Sequence, residues 1–492
     1  MTTATATQQR PAGHPGPASP APAGTPGWGP LLVVLAGTFM ALLDFFIVNV
    51  ALPSIQSGLH ASRAAVQLII AGYGLTFATG MITGGRLGDL YGRRRMFMTG
   101  LALFTLTSAA CGLAPGAGLL IGARVLQGAA GALMTPQVLA IIGIVYAGPR
   151  RDRAFAAYGL AMGFAGVLGQ LLGGAIITAS VGGSGWRGIF LINVPVGLTA
   201  LVLARRVIPE FGGHEARSST GHSGTGRLDL AGTALATAGL AAVVAPLIEG
   251  QQYGWPAWTW ASLAAAPVLL GGFVVHQRRR AASGRSPLVD PGLFASRGFS
   301  VGSLAALAFG LVPASFFFVL ALFLQDGLGL SPLLSGEVFA AVGAGYFAAM
   351  MLATGLARRL GRQVLALGAA VVAAGALLLA AADGGASWTP LSWMPLLPGL
   401  AVTGFGIGLV LVPLSATVLA GVDPQHAGAA AGVLATAQQV GGAVGVALVG
   451  VVFYRSLGAG AFGHAMTAAL ILLAGLTVAT AALVQLLPRR AR

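Results

Sequence analysis

Long apolar segments, each close to the length that crosses a lipid bilayer, recur along almost the whole chain and restrict its fold more than any other feature. A hydrocarbon core about 30 Å thick needs roughly 20 helical residues. Fourteen such segments are predicted, at residues 31–52, 66–85, 97–115, 118–144, 154–179, 188–205, 229–248, 258–276, 299–325, 335–357, 363–382, 393–420, 427–453 and 465–487. With 8% charged residues and a mean hydropathy of +0.84, the chain has too little polar surface to face water on all sides. We therefore predict an all-α integral membrane protein.

The positions of the arginines predict how these segments are oriented. All 27 basic residues are arginine, and 23 of them fall on one side of the membrane if the segments cross it in alternation. Only Arg63, Arg124, Arg187 and Arg455 fall elsewhere. Cytoplasmic loops carry the excess of basic residues, so both termini are expected in the cytoplasm of a multi-pass plasma-membrane protein. The net charge of +15 then reflects topology, and no nucleic-acid partner is expected.

The spacing of the segments suggests two bundles of six helices with a helix pair inserted between them, and a substrate path where the bundles meet. The N-terminal stretch is rich in Pro, Ala, Gly and Thr, and is interpreted as a disordered cytoplasmic tail without a signal peptide. The predicted boundaries are 1–29 for this tail, 30–206 for the first bundle, 207–227 for a cytoplasmic loop, 228–277 for the helix pair, 278–297 for a second cytoplasmic loop, 298–487 for the second bundle and 488–492 for the C-terminal tail.

Several kinds of chemistry are disfavoured by what the chain contains. Cys111 is the single cysteine and lies in an apolar segment, which leaves neither a disulfide nor a thiolate cluster and predicts a packing role. The seven histidines fall in tails, loops or segment ends, and the chain has no lysine for a Walker motif. We therefore predict no metal site, no cofactor and no ATP hydrolysis. A membrane-embedded enzyme would need clustered His, Cys or acidic residues at depth.

Residues 84–95 read GGRLGDLYGRRR between the second and third segments, and this stretch resembles the signature loop of the major facilitator superfamily. Further stretches are similar to the 14-span drug:proton antiporter branch, namely LDFFIVNVALP at 43–53, RVLQGAAGA at 124–132, WRGIFLINVPVG at 186–197 and AGAAAGVLATAQQVGGAVGVA at 427–447. The resemblance covers nearly the whole chain. It implies a major facilitator fold in which a monomer exports small hydrophobic or amphiphilic compounds, drugs and antibiotics among them, in exchange for protons by alternating access.

Two positions depart from this family pattern. Gln170 stands where the antiporter motif of the fifth span usually has proline, so the kink of that span is left open although its glycines are present. Phe46 stands where the first span of the family commonly has a small hydroxyl residue, and it is expected to reshape the pocket.

A proton-driven exporter needs an ionisable group near mid-membrane whose protonation alters helix packing. Nine of the twelve acidic residues map to loops or their edges, and Asp229 is expected to cap the seventh segment, which leaves Asp44 and Glu337. Asp44 and Arg124 lie at depths of ~12 and ~9 Å from the outer ends of their segments, so they could meet. We predict that Asp44 accepts the proton and a substrate cation, while Arg124 tunes its pKa and competes for it. A permanent structural ion pair is the alternative.

Glu337 lies near the outer end of the tenth segment. It is predicted as a further proton-coupling or cation site, and the alternative is a solvated carboxylate at a helix end. In the signature loop, the resemblance implies a cytoplasmic gate in which Asp89 and Arg93 form a latch that locks one orientation of the bundles. The gate also includes three glycines that let the loop turn tightly and the helices approach, namely Gly85, Gly88 and Gly92.

Uncharged polar and aromatic side chains within the segments could line the substrate path or could instead pack between helices. These are Phe45, Phe46, Asn49, Gln127, Gln170, Asn193, Phe317, Tyr346, Gln438 and Gln439. A cavity with few charges suits small lipophilic molecules better than sugars or phosphates. Proton-independent or uptake transport, and a membrane sensor or enzyme without transport, remain the alternatives.

Overall fold

The structure, a computed structural model, describes residues 27–180, 183–209, 229–285, 287–382, 393–419, 422, 427–457 and 462–487. These ranges contain helices and no strand. The first six long helices are α1 (Gly29–Leu59), α2 (Arg63–Tyr91), α3 (Arg93–Gly112), α4 (Ala117–Val145), α5 (Gly148–Ala179) and α6, which consists of Gly188–Leu191 and Asn193–Val207. The inserted pair is α7 (Leu230–Gln252) and α8 (Ala257–Ala282). The last six are α9 (Arg297–Leu322), α10 (Pro332–Leu360), α11 (Gln363–Ala382), α12 (Leu396–Leu419), α13 (Ala427–Leu457) and α14 (Phe462–Val484).

Every predicted apolar segment is thus represented by a helix, but the helices are not equally apolar. Over the described residues, twelve helices are long and apolar enough to cross a membrane, and α5 makes a thirteenth if its two bent halves are one span. The remaining helix is α3, whose first turn holds Arg93, Arg94 and Arg95 and therefore lowers its mean hydropathy. A count of fourteen spans is compatible with this arrangement and stays a prediction.

The two six-helix bundles repeat one packing scheme. In each bundle the first helix packs on the fifth, the second on the fourth, and the third on both the fourth and the sixth. Small residues allow the close approaches: a side chain at Gly128 would collide with the α2 backbone at Tyr73, and one at Gly404 with the α10 backbone at Val342. This internal repeat gives the all-α, two-bundle architecture that the segment spacing predicts.

The two bundles converge toward the predicted outer face of the membrane. On the α5–α10 seam, a side chain at Gly174 would collide with the backbone of Pro332 near the outer ends. Farther in, a side-chain carbon at Gly163 would lie 3.4 Å from Phe347, and one at Gly159 would lie 4.0 Å from Met350. The contact therefore loosens from the outer end toward the cytoplasmic end.

The inserted helix pair covers the second seam between the bundles. Helix α7 packs on both α2 and α13 through a separate apolar cluster, and Thr233 shares a 2.9 Å hydroxyl hydrogen bond with Thr83 of α2. Helix α8 packs mainly on α7 and is largely exposed. Asp229 caps α7 as predicted, because its carboxylate accepts a 2.9 Å hydrogen bond from the N–H of Gly232.

Candidate functional site

The site is centred on Asp44, a carboxylate in the middle of helix α1 and the one charged residue of that helix. Arg124 of α4 donates to it through Nη1, and both side chains are 0% exposed. The other carboxylate oxygen accepts hydrogen bonds from the amides of Gln127 at 3.0 Å and Asn193 at 2.9 Å. The two predicted proton-coupling residues of the first bundle are therefore in direct contact, together with two residues from the predicted substrate path.

Backbone and aromatic groups hold the guanidinium of Arg124 in place. Its Nε donates to the carbonyl of Ile69 at 3.2 Å, and its Nη1 also donates to Gln127 Oε1 at 2.8 Å. The Cζ atom lies 4.1 Å from the ring centroid of Tyr73 and 5.7 Å from that of Phe190, distances at which a cation is attracted by an aromatic face. Nη2 is buried and has no hydrogen-bond partner among the described residues. The cation is thus neutralised mainly by Asp44.

Three members of this network were not assigned to it by the sequence. Ser108 accepts a 3.0 Å hydrogen bond from Asn193 and donates at 2.9 Å to the carbonyl of Phe190. Cys111, which was expected only to pack, donates at 3.5 Å to Gln127, and Tyr73 lies under the guanidinium. Their spacing was the sequence signal that could have indicated this: Ser108 and Cys111 are three residues apart, so both lie on the same face of α3.

Aromatic rings lie beside the network and reach across to the second bundle. Phe45, the residue after Asp44, lies 6.0 Å from Tyr73 between ring centroids. Phe46 makes an edge-to-face contact with Phe317 of α9 at 5.5 Å, and Phe317 in turn lies 5.8 Å from Phe339 of α10. The predicted path residues Phe45, Phe46 and Phe317 therefore form an aromatic layer that joins α1 to the second bundle.

Two buried amides near this layer are incompletely hydrogen-bonded. Asn49 donates to the carbonyls of Phe45 and Phe46 at 3.3 and 3.1 Å, whereas its Oδ1 has no partner among the described residues. Neither amide atom of Gln170 has a partner there. Gln170 lies on the α5–α10 seam, where a side-chain carbon at Gly336 would come within 2.6 Å of its carbonyl oxygen.

The remaining predicted path and coupling residues lie on the second bundle and do not contact the Asp44 network. Tyr346, Gln438 and Gln439 are half-buried, and neither glutamine side chain hydrogen-bonds to a described residue. Glu337 is exposed on α10 and forms no ion pair with a described residue. The structure therefore brings together the first-bundle candidates and leaves Glu337 apart from them.

Helix α5 is kinked although it lacks the proline that the family usually has there. It bends by 41° between the stretches that end at Gly166 and begin at Leu168. Its glycines lie against α1, because side-chain carbons at Gly169 and Gly173 would come within 3.0 Å of Phe46 and 2.9 Å of Ile47. Closely packed glycines thus accompany the bend in place of a proline ring.

The stretch that resembles a signature loop is helical rather than a loop. Helix α2 continues to Tyr91 and α3 begins at Arg93, so that Gly92 alone separates them, with a φ of +96° that favours glycine. Gly88 lies against Gln137 of α4, whose amide donates to the carbonyl of Gly84 at 2.7 Å. Packing on α4 therefore keeps this glycine-rich stretch helical.

The other gate residues are only partly described. A side-chain carbon at Gly85 would lie 3.7 Å from Pro136, an ordinary contact that does not require glycine. The side chain of Asp89 lies outside the described part, so its pairing with Arg93 stays a prediction.

Comparison with known proteins agrees with this architecture. The family model described as Major Facilitator Superfamily matches residues 34–228 and 227–446. A probable actinorhodin transporter of Streptomyces coelicolor is 38% identical over 88% of this chain and 73% of its own length. A puromycin resistance protein of Streptomyces alboniger is 37% identical over 86% of this chain and 81% of its own, and a cephamycin export protein of Amycolatopsis lactamdurans is 37% identical over 85% and 83%. The chain belongs to the major facilitator superfamily and is a multi-pass membrane transporter of the drug-efflux type.

Solved structures share the fold at low sequence identity. A POT family transporter aligns with a TM-score of 0.66 at 15% identity, covering 94% of this chain and 98% of its own. The xylose transporter XylE of E. coli, in a partially occluded inward open conformation, aligns with a TM-score of 0.63 at 14% identity, covering 92% and 96%. At such identities the likeness describes the fold alone.

Proposed function

We propose that this transporter exports small hydrophobic or amphiphilic compounds, drugs or antibiotics among them, in exchange for protons by alternating access. The observation that carries the proposal is the fully buried Asp44–Arg124 pair beside an aromatic layer that reaches the second bundle. Relatives named for actinorhodin, puromycin and cephamycin support export of such compounds. The apolar, aromatic surroundings suit lipophilic cargo.

Asp44 is the proposed proton acceptor, because its protonation state decides whether Arg124 is neutralised. When Asp44 is ionised, the pair carries no net charge. When it is protonated, a buried guanidinium remains with one hydrogen-bonding nitrogen already unpartnered. Breaking a buried pair in this way costs roughly 3–5 kcal/mol, so proton uptake favours a rearrangement of α1, α4 and α6 around the cation. Proton binding is thereby coupled to helix packing.

The same helix transmits this change to the second bundle. Asp44 is fully buried in this conformation, so proton exchange is proposed to occur after the bundles move. Phe46 lies two residues further along α1 and contacts Phe317 of α9. A shift of α1 on protonation therefore alters the contact between the bundles. A lipophilic compound that binds beside this contact would displace the Asp44–Arg124 pair, either by its bulk or through its cationic group.

The first test replaces Asp44 by Asn in proteoliposomes that carry an imposed pH gradient. We expect proton-driven export to be lost while insertion is unchanged. Glu249→Gln is the matched acid-to-amide control, because Glu249 lies on the inserted helix α7, away from the network. Full proton-driven export by the Asp44→Asn protein at normal expression would refute the assignment, and accumulation without response to the gradient would indicate proton-independent uptake.

Two further roles are proposed with separate tests. Glu337 is proposed as a second cation site on α10, for which Glu337→Gln should reduce export of cationic compounds and leave neutral ones unchanged. Asp89 and Arg93 are proposed as the cytoplasmic latch together with Gly85, Gly88 and Gly92. Asp89→Asn and Arg93→Gln should then each slow turnover, and the double variant should be no slower than the worse single variant.

We also propose that the transporter works as a monomer in the plasma membrane with both termini in the cytoplasm. The placement of 23 of the 27 arginines on one side supports this orientation. Labelling of single cysteines added near each terminus of a Cys111→Ser protein tests it, because only inside-out vesicles should be labelled by an impermeant reagent.

A further inference from the structure

A second cavity, separate from the Asp44 network, lies between the two bundles at the predicted outer ends of the helices. Its volume is about 120 Å³, and it is partly open to solvent. It is lined by Gln56, Arg63, Leu322, Asp326, Phe453, Tyr454, Leu457 and Phe462. We call it the outer pocket. Gln56 and Arg63 come from the first bundle and the other six residues from the second, so the pocket exists only while the outer ends are together.

The floor of the outer pocket is aromatic. Phe453 is fully buried, and its ring centroid lies 5.5 Å from that of Tyr454 and 6.4 Å from that of Phe462. Tyr454 is 6% exposed, and its hydroxyl has no hydrogen-bond partner among the described residues. A buried hydroxyl without a partner is costly unless something binds it, and here it belongs to a residue that lines an open cavity.

Two opposite charges lie at the rim and do not pair with each other. The guanidinium of Arg63 lies over the Tyr454 ring, with Cζ 5.1 Å from its centroid. Asp326 is exposed on the π-helical turn Phe323–Gly327, which follows α9 directly. An aromatic floor with a cation from one bundle and a carboxylate from the other matches a ligand that has an aromatic body and both an anionic and a cationic group.

We infer that the outer pocket is a site that binds aromatic zwitterions while the outer face is closed. That this face is the exit side rests on the proposed export function. The floor favours an aromatic compound over a zwitterionic lipid headgroup, which has no ring to stack on Phe453 or Tyr454. Because both bundles contribute to the pocket, a ligand held there stabilises the closed outer face, and by reciprocity a closed outer face binds the ligand more tightly.

The test uses three fluorescent probes with one aromatic group and different charges: Nε-dansyl-L-lysine as the zwitterion, dansylglycine as the anion and dansylcadaverine as the cation. Binding is titrated with the full chain in phosphatidylglycerol proteoliposomes. We expect the zwitterion to bind most tightly. Arg63→Gln should lower the affinity for the zwitterion and for the anion about fivefold. Asp326→Asn should lower the affinity for the zwitterion and for the cation about fivefold.

Tyr454→Phe separates a binding role from a structural one. Since the hydroxyl has no partner in the described structure, its removal should leave the thermal midpoint unchanged or higher, whereas zwitterion binding should weaken about tenfold. Arg455→Gln is the control, because Arg455 is the exposed neighbour of Tyr454 and does not line the pocket. Its affinities should equal those of the unaltered protein.

Three results would overturn the inference: equal affinity for all three probes, affinities unchanged in Arg63→Gln and Asp326→Asn, or displacement of the zwitterion by phosphatidylethanolamine added to the vesicles. Failure of the proposed function is distinguishable, since these titrations do not require transport. If the protein binds the probes according to their charge but exports nothing, the proposed export function is refuted and the inferred binding site is still supported. Export without charge-dependent binding would refute the site alone.

Discussion

The two bundles share one packing scheme but differ in what they bury. The first bundle encloses an ion pair, Asp44 with Arg124, surrounded by the polar side chains of Gln127, Asn193 and Ser108. In the described part of the second bundle, the buried polar groups are the hydroxyls of serines, threonines and Tyr454. Within the described residues of this repeated fold, the buried ion pair lies in one half, while the other half supplies an aromatic and apolar partner surface. The difference predicts that replacing a buried polar residue lowers the free energy of unfolding far more in the first bundle than in the second.

The largest effect is expected for Arg124→Gln. It leaves the buried carboxylate of Asp44 without its cation, which should lower the free energy of unfolding by roughly 3–5 kcal/mol. Thermal unfolding of the detergent-purified protein measures it. The double variant with Asp44→Asn should be more stable than Arg124→Gln alone, because neither charge remains. If the double variant lost as much stability as the sum of the losses in the two single variants, the two charges would not interact.

Asn193→Leu sharpens the comparison within the first bundle. It removes the hydrogen bonds to Asp44 and Ser108 with little change in volume, and should cost about 1.5–3 kcal/mol because one of the lost acceptors is ionised. The same unfolding assay applies. Asn49→Leu is a matched control, since among the described residues Asn49 bonds only to carbonyls of its own helix, and an equal loss there would contradict the special position of Asn193.

The cytoplasmic end of the inserted pair offers a pH-dependent test outside the spans. Burial acts to raise the pKa of Asp229, but hydrogen bonds from His276 at 2.8 Å, the Gly232 N–H and Gln277, with the charge of Arg280, lower it below its ordinary value. Stability from a carboxyl with a depressed pKa is present at neutral pH and is lost as the pH falls through the folded-state pKa. Asp229→Asn should cost about 1–2 kcal/mol at pH 7 and almost nothing in strong acid, as measured by unfolding across pH.

The smallest effect is expected for Ser315→Ala in the second bundle. Ser315 is fully buried, yet its one hydrogen bond within the described part of the chain is a donation at 2.6 Å to the carbonyl of Leu311 in the same helix α9. Its loss should change the free energy of unfolding by less than about 1 kcal/mol. Ser108→Ala is the counterpart in the first bundle, and equal effects at Ser315 and Ser108 would remove the contrast between the bundles.

The sequence was sufficient to predict the helical segments and the two bundles, and it indicated that Asp44 and Arg124 could meet. Hydrophobic length marks each helix, and the depth of a residue follows from the rise of about 1.5 Å per residue. Depth does not tell in which direction around the helix axis a side chain points, so Ser108 and Tyr73 were not assigned to the site. The resemblance to a signature loop was misleading at Gly84–Arg95, because packing on Gln137 keeps α2 helical there. The outer pocket depends on side chains from five helices and the π-helical turn, which no local pattern describes.

The position of α7 has a consequence for the speed of the transport cycle. This helix contacts α2 of one bundle and α13 of the other, and Thr233 ties it to Thr83. If the bundles rock as proposed, α7 has to slide over at least one of these surfaces, breaking and remaking small apolar contacts and that hydroxyl pair. In that cycle the inserted pair would add internal friction to each turnover, and side chains at this sliding surface would set how quickly the carrier resets, independently of what it carries.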